Sequence, residues 1–226
     1  MLSPKNKVIL ITGASRGIGK EDALLLATEG VSLALTYHKG KKEALHVAKL
    51  CKEKGAKAVL ILPLNITNNL SIKKTIKRVV KQYGHISVLI NNAGVISWKR
   101  LPDQSFEEIE VQLRVNLEGL MKVTKESLPY VREMIINMAS AASLRGYPTM
   151  ISYCASKWGV RGFTQALAED YPELKVHDVI SGGVATQMKN FKGIEPAVVA
   201  RVIVDFVKGT HTQLSGTDIN VRDYAS

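Results

Sequence analysis

Apolar and polar positions along the chain fall into two alternating kinds of segment. Short, largely apolar runs sit at 8–11, 31–35, 58–62, 86–90 and 134–136, and two further strands are expected over 175–180 and near 217–221. Between them lie stretches at 41–54, 69–83, 105–131, 150–171 and 196–208 whose apolar residues recur at three- and four-residue spacing. The first pattern is that of strands buried on both faces, the second that of amphipathic helices. A further helix follows the first run, where Ala23-Leu24-Leu25-Leu26-Ala27 succeeds a Gly-rich turn and stops near Gly30. Gly55 and Gly84 mark helix ends, and Ser105 with Glu108 has the spacing of a capping box. The alternation predicts one doubly wound α/β domain over 1–226, a parallel sheet of about seven strands with helices on both faces. No linker, repeat or low-complexity segment interrupts it. In such a sheet ligands bind beyond the carboxyl ends of the strands, so chemistry is expected directly after each apolar run.

Composition changes this picture little. Of 226 residues, 46% are hydrophobic and 23% charged, which excludes a disordered, collagenous or coiled-coil chain. Two cysteines, Cys51 and Cys154, make neither a disulfide framework nor a four-thiolate zinc site, and the five histidines lack ligand spacing, so no metal is expected. A reduced, cytoplasmic setting fits these thiols. The run at 8–11 is too short for a signal-peptide core, and no segment has the length of a membrane span. The net charge of +11 favours anionic partners. Most of the excess lies in Lys39, Lys41, Lys42, Lys49, Lys52, Lys54 and Lys57, and in Lys73, Lys74, Lys77, Arg78 and Lys81. Both clusters follow helical patterns without interleaved aromatics, as solvated helix faces do, so neither nucleic acid nor membrane is an expected partner.

After the first run comes Thr12-Gly13-Ala14-Ser15-Arg16-Gly17-Ile18-Gly19. Glycines between a strand and a helix let backbone approach a pyrophosphate, and the helix start offers free N–H groups. This predicts dinucleotide binding by Gly13, Ser15, Arg16, Ile18 and Gly19. The second run ends in Tyr37-His38-Lys39, with no carboxylate to accept from an NAD ribose. Arg16, His38 and Lys39 instead suit a 2′-phosphate, so NADP(H) is expected over NAD(H), with Arg16 as the main clamp. Asn65 and Ile66 follow the third run, where an amide can meet the adenine edge. Asn91-Asn92-Ala93-Gly94 follows the fourth. Its small residues let a bound ring lie on the backbone, and its amides can tie strands together. Each of these alone is an ordinary turn; their succession is what argues for a site.

Tyr153-Cys154-Ala155-Ser156-Lys157 lies in a helical stretch, so the phenol and ammonium share a face. A free tyrosine titrates near ~10. A charge ~4 Å away at an effective dielectric of ~20 is worth ~4 kcal/mol, which predicts a phenol made more acidic by its neighbour. An oxidised nicotinamide would add to the effect. Ser140, 13 positions earlier, follows the fifth run and can bind a carbonyl oxygen. Asn116 stands mid-helix, where asparagine is a poor helix former, so a special role or a kink is expected. Trp98, Leu144, Tyr147, Met188 and Phe191 are the expected substrate-facing positions.

Taken in order, Thr12–Gly19, Asn91–Gly94, Asn116, Ser140 and Tyr153 with Lys157 resemble the short-chain dehydrogenase/reductase family. The likeness is to its simple one-domain Rossmann members, among them the 3-oxoacyl-acyl-carrier-protein reductases. It runs over about residues 6–190. The resemblance implies hydride transfer between nicotinamide and a small carbonyl or alcohol substrate. It assigns Tyr153 as acid/base, Lys157 as ribose binder and pKa modulator, Ser140 as carbonyl orienter and Asn116 as holder of a relay water. It further implies cofactor contacts from Asn92, Ala93, Gly94, Val184 and Thr186. Helices 105–131 and 150–171 would pair in a homodimer or homotetramer. The sequence departs from the pattern at Ser181, where the family usually has proline, in a short lid over 187–195, and in a carboxyl end without a Gly-rich finish. A dinucleotide-binding regulator with little turnover is the alternative reading. The intact Asn116, Ser140, Tyr153 and Lys157 set argues against it.

Overall fold

The computed structural model describes residues 6–186, 188 and 192–224. Seven strands form one parallel sheet: β1 (Val8–Ile11), β2 (Ser32–Tyr37), β3 (Ala58–Pro63), β4 (Ile86–Asn91), β5 (Val131–Met138), β6 (Lys175–Ile180) and β7 (Asp218–Asn220), in the order β3-β2-β1-β4-β5-β6-β7. Crossovers are made by α1 (Gly17–Thr28), α2 (Lys41–Glu53), α3 (Asn69–Tyr83), α4 (Phe106–Leu113), α5 (Leu120–Ser127), α6 (Ile151–Asp170) and α7 (Pro196–Lys208).

Strand alternation divides the core in two. Ile9, Ile11, Leu33, Leu35, Val88, Ile90 and Ile136 join the layer under α1, α2 and α7. Leu10, Ala34, Leu89 and Ile135 point the other way and join Ile72 and Ile76 of α3 and Val123 of α5. The two lysine clusters thus ride on helices on opposite faces of the sheet. Helix ends obey local rules. Asn68 accepts from Ser71 N at 2.9 Å to start α3, and Gly84 ends it at φ 81°, where a side chain would be strained. Both halves of the Ser105–Glu108 capping box are present.

The stretch 105–131 departs from a plain helix. Arg114–Gly119 is a π-type turn joining α4 to α5, and Leu128–Tyr130 tightens to 3-10 geometry at Pro129, which has no N–H to give an α-helical bond. β5 therefore begins at Val131, earlier than the run at 134–136.

Asp22 is a local conflict. It lies in α1 at 0% exposure, and neither carboxylate oxygen has a hydrogen-bond partner. Burial, and then Glu21 beside it, hold its pKa well above the ordinary carboxylate range. The folded protein thus keeps a proton that the unfolded chain releases above about pH 4, so stability falls as pH rises toward the folded pKa. Asp22→Ala is expected to raise Tm at pH 7 and flatten the decline of Tm between pH 4 and 8. Thermal melts across that range check this, and a variant less stable than wild type at pH 7 would contradict it.

Candidate active site

The sheet changes winding direction between β1 and β4, which opens a crevice beyond their carboxyl ends. The Gly-rich turn leaves β1 there. Gly13 (φ 68°) sits so close to β4's exit that an added Cβ would lie 3.1 Å from Ala93 Cα, and one on Gly19 would meet Asn92 Nδ2 at 2.4 Å. Side chains are excluded from this cradle by the Ala93 and Gly13 backbone and by the Asn92 amide. Arg16 is the N-cap of α1 and its side chain does not cap the helix, so the first-turn N–H groups stay available to an anion. The residues present therefore fit a pyrophosphate.

Thr12, which the motif reading passed over, knits the turn. Its hydroxyl accepts from Asn92 N at 2.9 Å and Ala93 N at 3.0 Å, while Asn92 Nδ2 donates to Thr12 O and Gly13 O. Asn91 ties β4 to β5 and α5, donating to Asn137 Oδ1 and Thr124 Oγ1 at 2.9 Å. Asn92 thus serves the turn itself, and Ala93 and Gly94 line the crevice floor.

Tyr37 ends β2, and His38 and Lys39 follow it, both exposed. Ser15 approaches Gly40 and the first turn of α2, where Glu43 also lies. Asn65 Oδ1 is used by Thr67 N and Oγ1, which leaves the amide nitrogen of Asn65 to meet a base. Ile66 is buried against Gly119, so only its backbone remains to touch a ligand. A groove of about 850 Å³ beside these strand ends is lined by His38, Leu64, Asn65, Leu70, Lys74 and Arg78. Ile18 packs onto the core beneath the turn. Val184 bridges to Ile194, and Thr186 Cγ2 lies 3.4 Å from the Cβ position of Gly17, so Thr186 abuts the Gly-rich turn.

The second half of the site stands across the crevice. Asn116, in the π-type turn and fully buried, accepts from Val95 N at 2.8 Å and donates to Val95 O at 2.9 Å and Ser156 Oγ at 3.1 Å. The loop after β4 is thereby clamped to α6, which gives a mid-helix asparagine its purpose. Ser156, the hub of this contact, was not singled out by the sequence; its hydroxyl also donates to Tyr153 O. Ser140 leaves β5 in extended conformation and accepts from Ala142 N. Its hydroxyl is close enough to the Tyr153 phenol to stabilise the ionised form. The turn from Ser140 to α6 carries Thr149 at φ 61°, a strained value for a non-glycine.

Tyr153 is half-buried, and Lys157 is only 5% exposed. Lys157 Nζ lies 5.7 Å from the Tyr153 ring centroid and donates to Met138 O at 2.5 Å. The expected acidification of the phenol is not what the free protein has. Burial pushes the Tyr153 pKa up to about 12, outweighing the pull from Ser140. Burial likewise pushes Lys157 down to about 8, opposed by the charge of Asp178. Helix spacing puts both groups on one face, but it does not register the desolvation of that face.

Among the substrate-facing positions, Trp98 donates its indole N–H to Met188 O at 2.8 Å and so joins the loop after β4 to the lid. Arg145 stacks on Tyr147 at 4.8 Å, and Leu144 is exposed. Phe191 lies outside the described residues.

The sequence and fold can be set beside known proteins. The short chain dehydrogenase family profile matches residues 7–195. A 3-oxoacyl-(acyl-carrier-protein) reductase of Staphylococcus epidermidis is 36% identical over 191 residues, 82% of this chain and 78% of that protein. Its counterpart from Thermotoga maritima is 34% identical over 81% of this chain and 76% of that protein. A short-chain dehydrogenase from Burkholderia cenocepacia, solved in complex with NADP, superposes with a TM-score of 0.89 at 25% identity, covering 96% of this chain and 97% of that one. A match that runs unbroken from the first strand to the far side of the lid places this chain in the short-chain dehydrogenase/reductase family, as an NAD(P)-dependent oxidoreductase.

Proposed function

We propose that the protein is an NADP(H)-dependent reductase of a small carbonyl compound, with 1–226 acting as one dinucleotide-binding and catalytic unit. The observation that carries this is the joining of the two halves of the site. Gly13 abuts Ala93, Gly94 abuts Asn116, and Asn116 is bonded to the helix that presents Tyr153 and Lys157 beside Ser140. The cofactor, when bound, supplies the hydride. Ser140 orients the carbonyl oxygen. Tyr153, protonated at neutral pH, donates its proton to that oxygen as negative charge builds on it. A phenol that holds its proton is in the form that carbonyl reduction requires of a proton donor. Lys157 holds the ribose and places a positive charge beside the phenol. Asn116 positions the loop after β4 and holds a relay water.

NADP(H) is preferred over NAD(H) through Arg16, with His38 and Lys39. The NADP complex of the Burkholderia cenocepacia relative supports this choice. Val184 and Thr186 face the carboxamide. Arg16→Ala is expected to raise KM for NADPH about ten- to a hundred-fold and leave KM for NADH nearly unchanged, since a phosphate-bound guanidinium is worth roughly 1.5–3 kcal/mol. Equal Michaelis constants for the two cofactors in the wild type would remove the preference.

The acyl-carrier-protein reductases among the relatives make an acyl thioester one arm of the substrate test, beside ketones, aldehydes and diketones. NADPH oxidation with that panel tests the reading, and no turnover on any arm would reject it. Phe106 (93% exposed), Val111 and Met121 on α4 and α5, with Ile151 and Trp158 on α6, supply the apolar surface for a homodimer or homotetramer, which light scattering tests. Among the described residues no helix is long and apolar enough to cross a membrane, and a cytoplasmic location fits the two free cysteines.

A further inference from the structure

Four side chains stand in register across four neighbouring strands: Asn91 of β4 beside Asn137 of β5, Asn137 beside Asp178 of β6, and Asp178 beside Asp218 of β7. In a parallel sheet, in-register neighbours point to the same face, so the four form one polar row beneath α5 and α6. The row is used unevenly. Asn91 reaches Thr124 and Asn137, and Asn137 donates to Thr164 Oγ1 at 3.0 Å. Asp218 accepts from Arg161 Nε at 2.9 and 3.2 Å. Asp178 stands between them at 1% exposure, and neither of its oxygens has a donor.

Two carboxyl groups side by side on adjacent strands, with one guanidinium spent on the outer of them, cannot comfortably both ionise. A proton on Asp178 would convert the contact into an O–H···O bond to Asp218 and satisfy the orphaned carboxyl. The outer member, with 23% of its side chain exposed, gives that proton a way to solvent. The inner member lies near enough to Lys157 for its charge to act on the ammonium. Lys157, Arg161 and Thr164 lie along one side of α6, and Lys157 is anchored to Met138 O, whose residue pairs with Val179 next to Asp178.

We propose that Asp178 holds a proton in a hydrogen bond to Asp218, and that Asp178 is a positioning residue for Lys157, its ionisation supplying the counter-charge that keeps the buried ammonium charged. The inference rests on the reading of Lys157 given above. The charged groups that meet here are Lys157 and Arg161 from α6, Asp178 from β6 and Asp218 from β7; Tyr153 is the remaining titratable neighbour. β5 contributes Asn137, and the π-type turn contributes Asn116. The carboxylates of α4 lie at the surface, Glu108 with Lys99 and Glu110 with Arg114. The electrostatics agree with the geometry. Burial, then the charge of Asp218, push Asp178 up to about 7, while Asp178 in turn opposes the fall of Lys157. As pH rises through about 7 Asp178 loses its proton to solvent, and the Lys157 ammonium gains a partner before it would itself deprotonate near 8.

The test is an NMR titration of the Lys157 Cε–Nζ resonance in the full-length, cofactor-free protein, with the signal assigned by its loss in Lys157→Arg. Asp178→Asn keeps the shape and removes the charge. It is expected to lower the Lys157 midpoint by about one pH unit, so that the alkaline fall in kcat for NADPH-dependent carbonyl reduction moves down by the same amount, about tenfold in rate on that limb. Asp218→Asn, which leaves Asp178 to ionise beside both cations, is expected to keep the midpoint at or above that of the wild type. Coincident midpoints in wild type and Asp178→Asn overturn the proposal, and so does an equal fall in Asp218→Asn. A shifted midpoint in a protein that reduces no carbonyl would uphold the coupling and reject the functional reading.

Discussion

Tyr153→Phe is expected to lower kcat for carbonyl reduction by about 10²–10⁴-fold, the usual contribution of a positioned proton donor, and to leave the dissociation constant for NADPH nearly unchanged. Phenylalanine fills the same space on α6, so the helix, the Asn116–Ser156 clamp and the Lys157–Met138 bond all remain. What is lost is one O–H. In the free protein that proton is firmly held, because burial drives the pKa to about 12. A phenol of this kind is a poor base but a competent acid toward an alkoxide-like oxygen, which is more basic still. The loss should therefore fall on kcat and hardly on KM for the cofactor, and Tm should change little. Steady-state kinetics and NADPH fluorescence titration measure both. Near-normal kcat in the variant would remove Tyr153 from the chemistry.

Lys157→Ala is expected to damage binding and turnover together. A charge-assisted hydrogen bond is worth roughly 1.5–3 kcal/mol, so cofactor affinity should weaken about 10- to 100-fold, with a further loss in kcat as the phenol loses its positive neighbour. The variant also orphans Met138 O at the end of β5, which should lower Tm. The wild-type protein tests the same charge by pH alone. Burial sets the Lys157 pKa at about 8, below its ordinary value, so the ammonium is present at neutral pH and lost as pH rises through about 8. Cofactor binding should weaken on that alkaline side. Unchanged NADPH affinity in Lys157→Ala, or flat affinity across pH 7–9.5 in the wild type, would contradict the assignment.

Much of the fold was legible because its signals are local. Buried parallel strands tend to be apolar on both sides, so β1 to β5 announce themselves as short runs, and glycine or a capping box marks where a helix stops or starts. Gly13 and Gly19 were legible for the same reason, since a backbone that must touch a neighbour excludes Cβ, and Gly17 because its φ of 60° disfavours a side chain. The π-type turn at Arg114–Gly119 was not, because the surrounding periodicity is that of a continuous helix. Only Asn116 hinted at it, through its poor helix propensity. Asp178 left a comparable hint as a carboxylate in the middle of β6, between His177 and Val179.

By itself, then, the sequence determined the order of strands and helices, the Gly-rich turn and the spacing of Tyr153 and Lys157, because each depends on residues within a turn or two of one another. The tertiary structure alone decided that Thr12 holds the turn, that Asn116 clamps the far loop, that Asn91, Asn137, Asp178 and Asp218 form a row, and that the phenol is less acidic rather than more. Strand register and burial join segments 21 to 80 residues apart. The charge state of a side chain follows the water it loses there as much as the neighbour one turn away.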